Sequence, residues 1–212
     1  MHNALKEQEP GHVFMVGVPG LELDDSTRQL ISQDKIHNFI LFRRNVGDKK
    51  QLKRLCADLK GACLENSLPE PLISIDQEGG SVARLAAPFT VFPDQRILAE
   101  DATAEDKLRD YATICARELR EIGVNMNLAP VLDVCPRGQD LFMERRCLGN
   151  DPERVAELGA VVIVAMQNER VAACAKHFPG LGMAELDPHL DLPVVDLPRS
   201  RFDEVEPAST LI

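Results

Sequence analysis

AACAKHFPGLGMAELDPHLDLP, Ala172 to Pro193, gathers one lysine, two histidines and three acidic residues among glycines and prolines. Its first part, Ala172 to His177, is small and apolar enough for a buried strand, and the glycine and proline that follow continue neither a strand nor a helix. The reading is a strand ending at Lys176 and His177, then a loop carrying Asp187 and His189. An Asp-x-His pair can hold imidazole in one tautomer, with the carboxylate on one ring nitrogen and the other free to exchange a proton near neutral pH. His189 is then the expected acid/base and Asp187 its orienter. Such loops are more often simply solvated, so the rest of the chain has to decide.

Upstream, strand and helix signals alternate. VFMVGV (Val13 to Val18) reads as a strand closed by Pro19 and Gly20, and Asp24 to Ile36 as a helix capped by Asp24, Asp25 or Ser26. FILF (Phe39 to Phe42) is the second strand. Asp48 can cap a helix whose Leu52, Leu55, Cys56, Leu59 and Cys63 keep helical spacing. PLISID ends the third strand at Asp76, before the pair Gly79 and Gly80. Leu108, Tyr111, Cys115, Leu119 and Ile122 stripe a helix from Thr103 to Ile122, and Gly123 stops it. VNMNLAPVLDV (Val124 to Val134) is the fourth strand. Asp151 and Pro152 cap and start the next helix, Ala172 to His177 is the fifth strand, and a weaker helix begins near Arg199. This alternation predicts α/β architecture with a parallel sheet. A (β/α)₈ TIM-type barrel best explains polar groups at successive strand ends, but only about five βα units are visible, so the barrel is expected to be incomplete.

Composition narrows the function classes. A chain of 212 residues with 44% hydrophobic content points to one globular domain. A net charge of -10 without a basic run disfavours nucleic acid and anionic membranes as partners. No apolar stretch reaches the roughly 20 residues that span a bilayer, and the start, MHNALKEQEPGH, has no signal-peptide character. A cytoplasmic protein acting on a small molecule is expected. The six cysteines show no zinc-like spacing and read as reduced thiols, most of them buried. One tyrosine and no tryptophan leave sugar recognition, if any, to polar clamps.

Several polar groups follow strands. Asp76 and Arg84 in IDQEGGSVARL suit paired sugar hydroxyls, or form a surface ion pair on a glycine turn. Asp133 either meets substrate or ties down backbone amides, the commoner role of a buried aspartate. Arg146 either clamps a ligand oxygen or pairs with Glu144 or Asp151. Lys176 and His177 together end an apolar strand, which is costly unless both find partners.

With IDQEGGSVARL, NLAPVLDV, RCLGNDP and KHFPGLG followed by D-P-H in order, the chain resembles the N-acetyl-β-glucosaminidases of glycoside hydrolase family 3. The resemblance spans almost the whole sequence. It implies the N-terminal part of a single TIM-type barrel domain and a retaining glycosidase that removes terminal N-acetyl-β-D-glucosamine from peptidoglycan fragments. It places the acid/base dyad at Asp187 and His189 and the sugar-binding positions at Asp76, Arg84, Arg146, Lys176 and His177, with no metal or organic cofactor. Leu181 stands where the family has a second imidazole, Ser81 where an arginine is frequent, and Cys147 and Leu148 where Ser and Phe are usual. The family's aspartate nucleophile falls in a segment that these residues do not include, so the chain alone is expected to be inactive. An inactive sugar-binding or structural remnant, a phosphorolytic relative and a family β-glucosidase are the competing readings.

Overall fold

The computed structural model describes residues 10–187, 189–200 and 202. The chain divides into two compact units, residues 1–75 with 119–126, and residues 76–118 with 127–212.

The first unit runs β1 (Met15–Gly17), α1 (Asp25–Ser32), β2 (Asn38–Leu41), α2 (Lys49–Glu65) and β3 (Ile73–Ile75). Its strands pair in parallel, Met15 beside Asn38 and Phe39 beside Ile73. Phe39, Leu41, Ile73 and Ile75 are fully buried, as are Leu52, Cys56, Leu59 and Cys63 on the inner face of α2. Asp24 caps α1 through the Thr27 N–H, and Asp48 caps α2 by accepting from Lys50 and Gln51. Buried Asn45 donates to Val18 O and Gly20 O and accepts from Phe42 N, which ties the loop after β1 to the loop after β2. Helix α1 ends four residues before the expected Ile36. Lys35 adopts a left-handed φ of 58° there, and the Ile36 N–H bonds back to Leu30 O.

The second unit holds β4 (Gln77–Gly79), β5 (Val82–Ala83), α3 (Gln95–Ala99), most of α4 (Ala104–Ile122), the end of β6 (Met126–Asn127), α5 (Pro152–Asn168) and β7 (Ala172–Ala173). Strands β4 and β5 form an antiparallel hairpin where only a glycine turn was expected. Leu108, Tyr111, Ala112 and Cys115 of α4 and Val155, Leu158, Val162 and Met166 of α5 are buried. Asp151 caps α5 through Arg154 N, with Pro152 in the first turn. The expected fourth strand, Val124 to Val134, contracts to β6 and a parallel bridge from Val131 to Lys176, because Pro130 has no N–H to donate. The fifth contracts likewise to β7, with Cys174 N donating to Asn127 O and Ala129 O, and Leu132 N donating to Lys176 O. Residues 199–200 are helical, as expected.

Five parallel strands, β1, β2, β3, β6 and β7, alternate with helices among the described residues. This bears out the α/β class and the incomplete (β/α)₈ barrel. Five cysteines are buried, Cys174 is partly buried, and none of them is in a disulfide; burial pushes the Cys56 and Cys115 thiols up to about 12. No helix among the described residues is long and apolar enough to cross a membrane.

Helix α4 ends on Gly123, whose φ of +93° lets the Val124 N–H reach Leu119 O. A Cβ at this position would also lie 2.9 Å from the Cys56 Cβ. Gly123→Ala should cost about 1–2 kcal/mol from the left-handed backbone alone, and more from that overlap. Urea denaturation of the 212-residue chain measures it, and an unchanged midpoint would contradict the assignment.

Candidate active site

All the expected site residues belong to the second unit, and its backbone shows how they are placed. Gln77 is held on both sides: its N–H donates to Asn127 Oδ1, its carbonyl accepts from Asn127 Nδ2 and from the Tyr111 hydroxyl, and its own Oε1 accepts from Arg84 N and Leu85 N. Asp76 and Glu78 flank it in sequence. Gly80, at φ +54°, makes the hairpin turn, and Asp94 packs so closely that its Oδ1 would lie 1.9 Å from a Cβ there. Ser81, at the position where an arginine is frequent, donates its N–H to the same carboxylate.

From this base an alternating series of charges crosses the unit. Arg84 Nη2 lies 3.0 Å from Asp76 Oδ2, and Asp76 Oδ1 lies 2.9 Å from Lys176 Nζ. Lys176 Nζ is 2.6 Å from Glu78 Oε1, and Arg146 grips Glu78 through two hydrogen bonds, Nη2 to Oε1 at 2.8 Å and Nε to Oε2 at 2.9 Å. Arg146 Nη2 stands 3.4 Å from His177 Nε2, whose ring meets Asp133 Oδ2 through Nδ1 at 2.7 Å. Asp133 Oδ1 also accepts the Leu181 N–H at 2.7 Å, so it serves both a backbone amide and a histidine.

A cavity of about 540 Å³ is lined by Asp76, Arg84, Arg146, Lys176, His177, Asp187 and His189, together with Phe142. His189 Nδ1 is 2.6 Å from Asp187 Oδ1, which also accepts the His189 N–H at 2.9 Å. That backbone bond, followed by the ring bond, outweighs desolvation and lowers the Asp187 carboxyl. With Nδ1 engaged, Nε2 is the ring nitrogen left for proton exchange. Arg84 Nε is a buried donor with no acceptor among the described residues. No group of three or more His, Cys, Asp or Glu among the described residues could hold a metal ion.

One expectation needs correction. Arg146 pairs with neither Glu144 nor Asp151, which are committed elsewhere: Glu144 accepts the Gly138 N–H and Asp151 caps α5. Its partner Glu78 went unrecognised, as did Phe142, whose ring lies 5.6 Å from the Arg146 guanidinium and edge-on to His189. Leu181, at the second imidazole position, packs on the apolar cluster of Val131, Cys135, Leu141, Met143 and Cys147.

Residues 7–209 match the glycosyl hydrolase family 3 N terminal domain. The chain belongs to glycosyl hydrolase family 3. A family 3 β-N-acetylglucosaminidase from Paenibacillus sp. superposes with a TM-score of 0.87 at 39% identity, over 94% of this chain and 38% of that one. NagZ from Neisseria gonorrhoeae in complex with N-trifluoroacetyl-D-glucosamine gives 0.84 at 30%, over 92% and 58%. A β-hexosaminidase of Thiobacillus denitrificans is 38% identical over 189 residues, 85% of this chain and 50% of that protein. The chain thus spans about half the length of the curated relatives it matches.

Within this family 3 chain, burial alone would raise the Asp76 carboxyl, but Lys176, by charge and hydrogen bond, and then Arg84 bring it below its ordinary 3.8. A carboxyl lowered by folding adds stability that is present above its unfolded value and lost as pH falls through the folded one. The stability gap between wild type and Asp76→Asn should therefore be constant above about pH 5 and close as pH drops below 3.8. Urea titrations at several pH values measure this, and a pH-independent gap would show that Asp76 does not act as an ion-pair partner.

Proposed function

We propose that the chain supplies the sugar-binding and acid/base portion of a cytoplasmic β-N-acetylglucosaminidase barrel domain that removes terminal N-acetyl-β-D-glucosamine from peptidoglycan fragments. The single observation that carries this reading is the convergence of the Asp187–His189 dyad and the paired clamp of Asp76, Arg84, Lys176, Arg146 and His177 on one cavity. The names of the family relatives, and the N-acetylglucosamine derivative bound to one of them, support the substrate class.

Asp76, Arg84 and Lys176 offer acceptors and donors at spacings suited to adjacent hydroxyls. Phe142 gives an apolar face against which a ring can lie. His189 donates a proton from Nε2 to the leaving oxygen and later takes one from water, while Asp187 keeps Nδ1 protonated. A retaining reaction also needs a nucleophile across the sugar ring. Each carboxylate lining the cavity is already engaged, Asp76 by Lys176 and Arg84 and Asp187 by His189, which favours binding without turnover for these residues by themselves.

Calorimetry with N-acetylglucosamine tests the proposal. The 212-residue polypeptide should bind the sugar, Asp76→Ala and Arg84→Ala should each weaken binding about tenfold or more, the loss of a charged hydrogen bond, and p-nitrophenyl N-acetylglucosaminide should stay intact. Robust hydrolysis would mean that another residue serves as nucleophile; unchanged affinity in both variants would remove the clamp. In a longer polypeptide that includes a carboxylate nucleophile, His189→Ala should lower turnover about 10²- to 10⁴-fold on poor leaving groups, and far less on activated aryl glycosides. Equal losses on both would reduce His189 to a binding role.

A further inference from the structure

The cavity floor presents a contradiction in its chemistry. Arg84, Arg145, Arg146 and Lys176 line one space of about 540 Å³; Arg145 is exposed and paired with Asp94, and among the other three a planar guanidinium beside an ammonium is the donor set that recognises phosphate and sulfate. A neutral sugar needs donors and acceptors in balance. What separates the two ligands is where the positive charge of Arg146 and Lys176 goes.

It goes to Glu78. This residue is 1% exposed and does not line the cavity, yet both its oxygens are bound by Arg146 and one of them also by Lys176. Asp76 takes the remaining side of Lys176 and one arm of Arg84. Arg146 is thereby held flat: its Nε and Nη2 are consumed, its Nη1 points to the Met143 sulfur, and Phe142 covers its face. Asp133 adds a third carboxylate behind His177, and Asp187 a fourth at the rim.

We infer that Glu78 is a specificity-determining positioning residue, a buried counter-charge that closes this cavity to tetrahedral oxyanions and leaves it to neutral polyols. It touches no ligand and acts through Arg146 and Lys176. The inference rests on the sugar-binding reading of the cavity, but it concerns the choice between ligand classes. A purely structural Glu78 would change stability and leave that choice alone.

The test uses the 212-residue chain, with inorganic phosphate and N-acetylglucosamine as probes in calorimetry at constant ionic strength. Wild type should bind the sugar and show no heat with phosphate at millimolar concentration. Glu78→Gln keeps the side-chain shape and removes the charge; it should gain at least tenfold in phosphate affinity and lose at least tenfold for the sugar, with each ligand displacing the other. Adding Arg146→Gln to that variant should abolish the gained phosphate binding, and Glu78→Asp, which keeps the charge, should still exclude phosphate. A folded Glu78→Gln protein with unaltered preference overturns the inference. So does wild-type protein that binds phosphate in competition with sugar, a measurement that stands even where Glu78→Gln does not fold. Absence of sugar binding in the wild type would instead sink the proposed function.

Discussion

Charge buried at the ends of parallel strands must be neutralised locally, and the second unit does so at the candidate site by setting Lys176 and Arg146 against Asp76 and Glu78, carboxylates from a distant part of the chain. An isolated ion in this setting would cost several kcal/mol, and removing one partner from a buried pair is far more damaging than replacing both. Glu78 is the point at which this constraint is tightest, since Arg146 and Lys176 both depend on it. The β4–β5 hairpin, the Gly80 turn against Asp94 and the Asn127 bonds to Gln77 all serve to bring one glutamate beneath two cations. Burial pulls the Arg146 guanidinium toward neutrality, but the two bonds it donates to Glu78 and the charge of that carboxylate raise it above its ordinary value, so it stays charged.

Much of the fold was legible because its signals are local. Asp48 and the Asp151–Pro152 pair mark helix starts by hydrogen bonds made within three residues, and the stripe from Leu108 to Ile122 reports a buried face through its spacing alone. The errors arose where one residue overrode a propensity. Pro130 cut the fourth strand because it lacks an N–H, and Lys35 ended α1 early by entering the left-handed region. The β4–β5 hairpin was hidden because two glycines look like a plain turn, whereas here they let Asp94 pack against the backbone.

The site divides along the same line. The Asp187–His189 pair spans two residues and could be read directly. Lys176 was suspect because it ends an apolar strand, but its partner Asp76 lies 100 residues away, and Glu78 and Arg146 are separated by 68. Spacing carries no information over such distances. The available clue was arithmetical: Arg146 and Lys176, both in apolar surroundings, called for one more buried acid than Asp76 could supply.

Asp76 and Glu78 are separated by one residue, and in extended backbone alternate side chains take opposite sides. The two acids therefore meet the same ammonium of Lys176, while Gln77 between them turns its amide to the backbone of Arg84 and Leu85. The segment has a phase as well as a composition. Insertion of a single residue between Asp76 and Gln77 would leave every side-chain type present yet set the two carboxylates on opposite sides. An amide would then face the cations, and a carboxylate would be driven toward the backbone amides that Gln77 now serves. Chemical identity at these positions is meaningful only together with their parity, so length in this stretch is as constrained as sequence.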